Sequence, residues 1–317
     1  MHNNDIVINN NKEEKILVPI LKEENLGSNM AIDEKNIWWE IYTILSNRDT
    51  WKIALLAMTV KENILKKLLG KLPKNALDMV KRVTMDLDKW FERVIKWVFS
   101  WVKVIGDKFH VICLGLDALQ SVRIRYRQEV LREERIRRNS HIEEENIRRN
   151  ELERLWKNYK RKNLPSMKRY ENWESKLEIL ARSRYFLFKY RDEWTLNQKE
   201  RSKILFREFP EIEKAYKLIC SFRSFYNCSY GNVWDKKKAD NKLKEWIKKT
   251  DNCNISEIDN FVSTIENNKE KILTYFDYGE TNAYAESLNN RIQRFVHQNY
   301  WVKNLDFFHF RIKKIFG

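Results

Sequence analysis

Three acidic residues stand where a carboxylate can do chemistry: Asp33 closes the short apolar run MAID, Asp86 closes RVTMD, and Glu286 lies within AYAESLNNRI. Cutting a phosphodiester takes an activated water or hydroxyl and a stabilised leaving oxygen, and two divalent ions about 3.5–4 Å apart can supply both. Mg²⁺ takes hard oxygen ligands, so two or three converging carboxylates are the least a protein must contribute. Each acid taken singly has a plainer reading, because an acidic residue at a strand end is most often a turn or helix-capping residue. Glu34, Asp88, Asp277 and Glu280 lie near the three, and spacing alone does not set them apart.

The elements that would position these acids can be read from periodicity. MAID (30–33), IWWEIYTIL (37–45) and WKIALLAMTV (51–60) are rich in β-branched and aromatic residues and separated by short polar turns, which predicts three antiparallel strands. ENILKKLLGKL (62–72) has helical spacing, MVKRVTM (79–85) reads as a strand, LDKWFERVIKWVFSW (87–101) as a helix and VKVIGD (102–107) as a strand. The order β-β-β-α-β-α-β predicts an α/β fold with a mixed sheet, and it matches a ribonuclease-H-like core. Asp33 and Asp86 then sit at neighbouring strand ends if their strands are adjacent, with Glu286 on a late helix over the same edge.

From about residue 111 to 277 the chain becomes helical and heavily charged. Glu and Arg recur at i,i+3 and i,i+4 through RIRYRQEVLREERIRRNSHIEEENIRRNELERLWKNYKRK (123–162), which predicts a long solvated helix. Aromatic residues in ILARSRYFLFKYRDEW (179–194) and in 199–226 fall at helical spacing, which favours core packing over base stacking; Pro210 marks a break between helices. TNAYAESLNNRIQRF (281–295) reads as a helix capped by Thr281 or Asn282, and VKNLDFFHFRIKKIF (302–316) as a closing helix. Residues 1–27 are Asn- and charge-rich apart from ILVPIL (16–21), and are expected to be a poorly ordered leader. The expected division is therefore 1–27 leader, 28–110 first part of the core, 111–277 large all-helical insertion, and 278–317 closing helices carrying Glu286.

Composition narrows the class of partner. The 317 residues include 61 Lys plus Arg against 45 Asp plus Glu, a net charge of +16. That excess repels itself unless an anionic partner screens it, and nucleic acid is the leading candidate; a well-solvated Lys-rich surface is the alternative. Cys113, Cys220, Cys228 and Cys253 form no C-x-x-C pair and have no His at ligand spacing, so neither a zinc finger nor a disulfide scaffold is expected. The N-terminus does not read as a signal peptide and no apolar run is long enough to span a bilayer, so a soluble, cytoplasmic protein with no membrane partner is expected.

In this order, AIDE, RVTMDLDKW, VIGDKFHVI, LARSRYFLFK, ILFREFPEIEKAY, FRSFY and TNAYAESLNNRI closely resemble the ISL-three family of insertion-sequence transposases, in particular its ISAon-like branch. The resemblance runs from about residue 30 to the last residue. It implies a bacterial enzyme that cleaves DNA and transfers strands, with Asp33, Asp86 and Glu286 as the first, second and third acids of a DDE triad. Those acids would hold two Mg²⁺ ions, with Mn²⁺ as a substitute. DKFH is similar to the Asp/Cys-x-x-His signature of related transposases and puts Asp107 and His110 beside the core, as accessory residues. His110 can orient a ligand, contact a phosphate or cap a helix. Arg291 and Arg294, on the Glu286 helix, would hold phosphates.

The implied partners are DNA, as element ends and target, and a second copy of the chain in a homo-oligomer on that DNA. The family's Cys-rich zinc segment and helix-turn-helix find no room ahead of Asp33, so end recognition is expected of a separate polypeptide resembling the missing N-terminal region. The segment 294–312 lacks the Gly that relatives tend to have, and FSWVKVIGD (99–107) replaces a Pro-containing turn. Two rivals follow: a catalytically inactive remnant that only binds DNA, and a plain ribonuclease-H-like nuclease that cleaves without joining.

Overall fold

Neighbouring strand residues end in different cores. Met30 and Ile32 pack into one apolar cluster and Ala31 into another, and Leu45 and Ile44, or Leu55 and Leu56, divide in the same way. This is the period-two signature of strands buried on both faces. The computed structural model describes residues 5–7, 16–164, 166–226, 235–279, 283–302 and 304–317. Its strands are β1 (Asp5–Val7), β2 (Ile16–Val18), β3 (Ile20–Leu21), β4 (Asn29–Ile37), β5 (Glu40–Asn47), β6 (Ile53–Ala57), β7 (Arg82–Met85) and β8 (Lys103–Gly106). β1 pairs with β2, and the other six form one sheet in the order β3-β6-β5-β4-β7-β8. β4, β5 and β6 run antiparallel, whereas β7 lies parallel to β4 and β8 parallel to β7.

The described residues fall in two compact units: Met1–Ile112, Cys228–Asn241 and Ile265–Gly317 in the first, Cys113–Asn227 and Lys242–Thr264 in the second. In the first unit α1 (Glu62–Leu69), α2 (Lys74–Leu77) and α3 (Lys89–Val98) cover one face of the sheet. α11 (Ala283–Gln298) and α12 (Leu305–Phe316) cover the other. From β4 onward the order is β-β-β-α-α-β-α-β, the expected one with the short α2 added. α10 (Lys269–Tyr278) belongs to the sheet unit, not to a helical insertion running to 277: the buried Lys271 bonds Glu92 of α3 at 2.8 Å, and Lys271 lies within ordinary contact distance of a Cβ placed at Gly106 of β8.

Two expectations about the first strands are corrected. Residues 16–27, read as leader, contribute β2, β3 and a 3₁₀ turn at Glu23–Asn25, and Ile20 is fully buried. The apolar ILVPIL gains edge pairing, Ile20 opposite Leu56, that its polar surroundings obscured. Trp38 and Trp39, read as strand, form the two-residue turn between β4 and β5, since Ile37 pairs with Glu40. Trp38 takes the left-handed backbone (φ 56°) that favours glycine, and its ring packing on Phe308 at 4.3 Å offsets the strain.

In the second unit the long charged helix α4 (Lys108–Arg154) begins before the expected start and ends at Arg154, with Lys157–Lys162 non-helical. Capping boxes start α5 (Lys176–Arg182) at Ser175 and α6 (Leu196–Glu208) at Thr195. α7 (Pro210–Tyr226) starts at the proline, which needs no N–H at that position. α8 (Lys236–Thr250) and α9 (Ser256–Asn267) complete the set. Phe222 is fully buried, 4.7 Å from Trp246 and 5.0 Å from Phe261 between ring centroids, so these aromatics serve as core. Cys220 and Cys253 are free thiols, and Cys228 lies outside the described residues.

A buried histidine makes the sheet unit acid-sensitive. His309 Nε2, on α12, and the Tyr42 hydroxyl share a 2.9 Å hydrogen bond, while His309 Nδ1 has no hydrogen-bond partner among the described residues. Burial pushes His309 down from 6.5 to about 4. Between those values the unfolded chain binds the proton and the folded chain does not, so stability falls as pH drops, by up to about 1.4 kcal/mol per pH unit. Urea denaturation in steps from about pH 7 to 5 is expected to show this contribution as the difference in slope between the native chain and His309→Gln.

Candidate active site

The sheet register places three acids in one row. Ala31 of β4 pairs with Thr84 of β7, and Thr84 and Met85 pair with Ile105 and Gly106 of β8. Carried on by one or two residues, the same register sets Asp33 beside Asp86 and Asp86 beside Asp107. Alternation gives the row its side: Ala31 packs into the cluster with α11, and Asp33, two residues on, faces the same way. There its Oδ2 accepts a 2.5 Å hydrogen bond from the Asn289 amide of α11. Val83, Met85 and Val104 face the other cluster, so Asp86 and Asp107 share the α11 side by the same alternation. β7 ends at Met85, which leaves Asp33 and Asp86 half-buried beyond the last rungs. Asp107 is buried and Glu286, on the first turn of α11, is exposed.

Burial, and then neighbouring carboxylates, raise the proton affinity of Asp33, Asp86 and Glu286. Burial lifts Asp33 above its ordinary value and the Asp107 charge adds to it, while the Glu34 N–H (2.8 Å) and the Asn289 amide draw it down. Asp86 is pushed up to about 6, chiefly by burial and further by Asp33, Asp107 and Asp88; His110 opposes this, its Nδ1 3.4 Å from Asp86 Oδ2. Glu286 is raised by burial, then by Asp107 and Asp33. Like charges brought together on the same side, with nothing positive offsetting Glu286, suit a hard divalent cation, and the donors are all carboxylate oxygens. Among the described residues, no three His, Cys, Asp or Glu side chains are drawn together closely enough to hold a metal ion as they stand. The fold therefore provides the row and its electrostatics, not a finished cage.

Asp107 also has a structural task. Its carboxylate accepts from the Phe109 and His110 N–H groups at 3.3 and 3.1 Å, capping α4 and fixing His110 next to Asp86. Arg291 and Arg294 are exposed on α11, and the Arg291 guanidinium lies 5.7 Å from the Phe316 ring and 6.0 Å from that of Trp51. Of the neighbouring acids, Glu34 is next to Asp33 but on the opposite parity, Asp88 is exposed ahead of α3, and Asp277 sits 3.9 Å from Lys236. Glu280, and the proposed caps Thr281 and Asn282, lie outside the described residues. Asn289 was missed from sequence; its only signal is the i+3 spacing from Glu286, which puts both on one helical face.

A mixed α/β fold brings Asp33, Asp86 and Asp107 into register on neighbouring parallel strands, with Glu286 on a helix covering the same side. The family profile described as Transposase, that of the ISL-three DDE transposases, matches residues 30–312, and the chain belongs to that family. No curated protein and no solved structure matches it. Membership makes the chain, in general terms, a DNA-cleaving and strand-transferring enzyme with DNA as its partner. Among the described residues no helix is long and apolar enough to cross a membrane.

Proposed function

We propose that Asp33, Asp86 and Glu286 are the catalytic acids of this transposase, set in a ribonuclease-H-like core, and that together they hold Mg²⁺, as two ions, with Mn²⁺ as a substitute. The observation that supports this most is the register row that puts Asp33 beside Asp86, with the Asp33 and Asp107 charges raising both Asp86 and Glu286. When bound, the ions supply activation of the attacking water or 3′-hydroxyl and neutralise the leaving oxygen. The chain's own residues do the positioning. Asn289 orients the Asp33 carboxylate, and His110 holds Asp86 while its backbone is tied to Asp107. Arg291 and Arg294 contact phosphates and set the strand against the acids. Recognition of element ends belongs to a separate polypeptide, and action on two ends to a homo-oligomer on the DNA, in the bacterial cytoplasm.

A strand-transfer assay with element-end DNA, Mg²⁺ and the upstream polypeptide tests the reading. Cleaved and joined products are expected; no product from the native chain would leave only the DNA-binding remnant, and cleavage without joining would point to a plain nuclease. Asn289→Ala adds a finer measurement. Its amide lowers the Asp33 pKa, so its loss is expected to shift the acidic limb of the pH–rate profile to higher pH and to cost about tenfold to a hundredfold in rate, the scale of a lost ligand-orienting partner.

A further inference from the structure

The helical unit carries a cationic cleft that no part of the acid site uses. It encloses about 560 Å³ between α6, α7 and the 3₁₀ turn before α6, and Arg191, Lys199, Lys203 and Arg207 line it. Its charges divide unequally between paired and unpaired. Arg207 is matched by Glu171 at 3.1 Å, and Arg191 by Glu213 at 2.9 Å, but Glu213 also serves Lys217 at 2.8 Å. Lys199 and Lys203 are exposed and have no carboxylate partner among the described residues. The other side of α6 is arranged differently: Arg201 is consumed there by the buried Glu174, 2.6 Å away, which also takes Arg182 at 2.5 Å. One face of α6 is thus neutralised for stability and the other left positive.

The positive face has a regular spacing. Lys199, Lys203 and Arg207 follow one another at i,i+4, about 6 Å per step along one side of the helix. Across the cleft the Arg191 guanidinium stands 5.5 Å from the Phe206 ring and 5.9 Å from that of Trp194, which restricts it before any ligand arrives. Trp194 is almost wholly buried and its indole N–H is engaged by the Phe186 carbonyl, so the rings form a floor that holds Arg191 and offer no platform for a base. Two lysines one helical turn apart without a carboxylate partner, beside one preorganised guanidinium and without a stacking surface, match the repeating charge of a phosphodiester backbone and read no sequence.

We infer that the α6 cleft, through Lys199 and Lys203 with Arg191 beside them, is a backbone-phosphate site for DNA outside the catalytic acids. The inference rests on DNA as the partner. The experiment is anisotropy titration of the full chain with two unrelated duplexes over a series of salt concentrations. Lys199→Gln/Lys203→Gln is expected to weaken both duplexes alike, roughly tenfold at about 0.1 M salt, and to make the log K against log salt slope shallower by about 2. The charge-preserving Lys199→Arg/Lys203→Arg is expected to retain the native slope. Loss in the arginine variant as well would expose a structural defect and overturn the assignment, as would a slope unchanged by the glutamine pair. An equal change from the control pair Lys248→Gln/Lys249→Gln would do the same by showing diffuse charge. If the native chain binds neither duplex, the DNA reading itself fails, an outcome distinct from all of these.

Discussion

Asp86→Asn is expected to lower cleavage and strand transfer by at least about a thousandfold, the scale on which losing one member of a catalytic unit acts. Asp86 occupies the middle of the register row, between Asp33 and Asp107. The amide keeps the shape of the side chain but removes the charge that a divalent ion needs, and with it the electrostatic partner of His110. DNA affinity is expected to hold or rise slightly, because a negative charge is lost. The same substitution reports on the cation through stability. A folded-state pKa raised from 3.8 to about 6 means that stability present below the lower value is lost as pH rises through the upper one. At neutral pH the ionised Asp86 therefore carries the cost of burial first and of its acidic neighbours second, and Asp86→Asn is expected to raise the melting temperature without metal. If the site holds Mg²⁺ as proposed, the ion at a hundred times its Kd is expected to stabilise the native chain by about 2.7 kcal/mol, and the variant to lose most of that rise. Melting curves with and without Mg²⁺, beside a strand-transfer assay, check both. An active Asp86→Asn enzyme would remove this residue from the site.

Phe222→Ala is expected to destabilise the helical unit by about 3–5 kcal/mol, the usual loss when a buried phenylalanine is truncated and the space does not collapse. Phe222 is fully enclosed, and its ring meets Phe225, Tyr226, Trp246 and Phe261, residues of α7, α8 and α9. Urea denaturation of the full chain measures the loss. If these aromatics were a base-stacking surface, the variant would instead lose DNA affinity at nearly unchanged stability. A cost under about 1 kcal/mol would show that the rings do not form the core described.

Legibility differed from residue to residue for physical reasons. The strands holding Asp33 and Asp86 were readable because apolar runs ending in an acid are local patterns, carried by neighbours in the chain. The Glu286 helix was readable from its 3.6-residue period. The turn at Trp38 was not, because a tryptophan in the left-handed region is tolerated only through packing on Phe308, some 270 residues away. ILVPIL reads as leader because its strands exist only once distant partners are there to pair with them, β1 for β2 and β6 for β3.

The three acids that opened the sequence analysis show where the boundary lies. The sequence by itself determined the positive charge, the family, and that Asp33 and Asp86 go with strands and Glu286 with a late helix, since each of these is a property of composition or of a short stretch; that β4 runs on past Asp33 to Ile37 was not legible. Only the tertiary structure decided that Asp107 shares the row with Asp33 and Asp86, that Asn289 binds Asp33 and that His110 meets Asp86. Those relations come from the register between strands and from helix placement, which join segments separated by 20 to more than 250 residues. A one-residue slip in register would turn each acid to the opposite face.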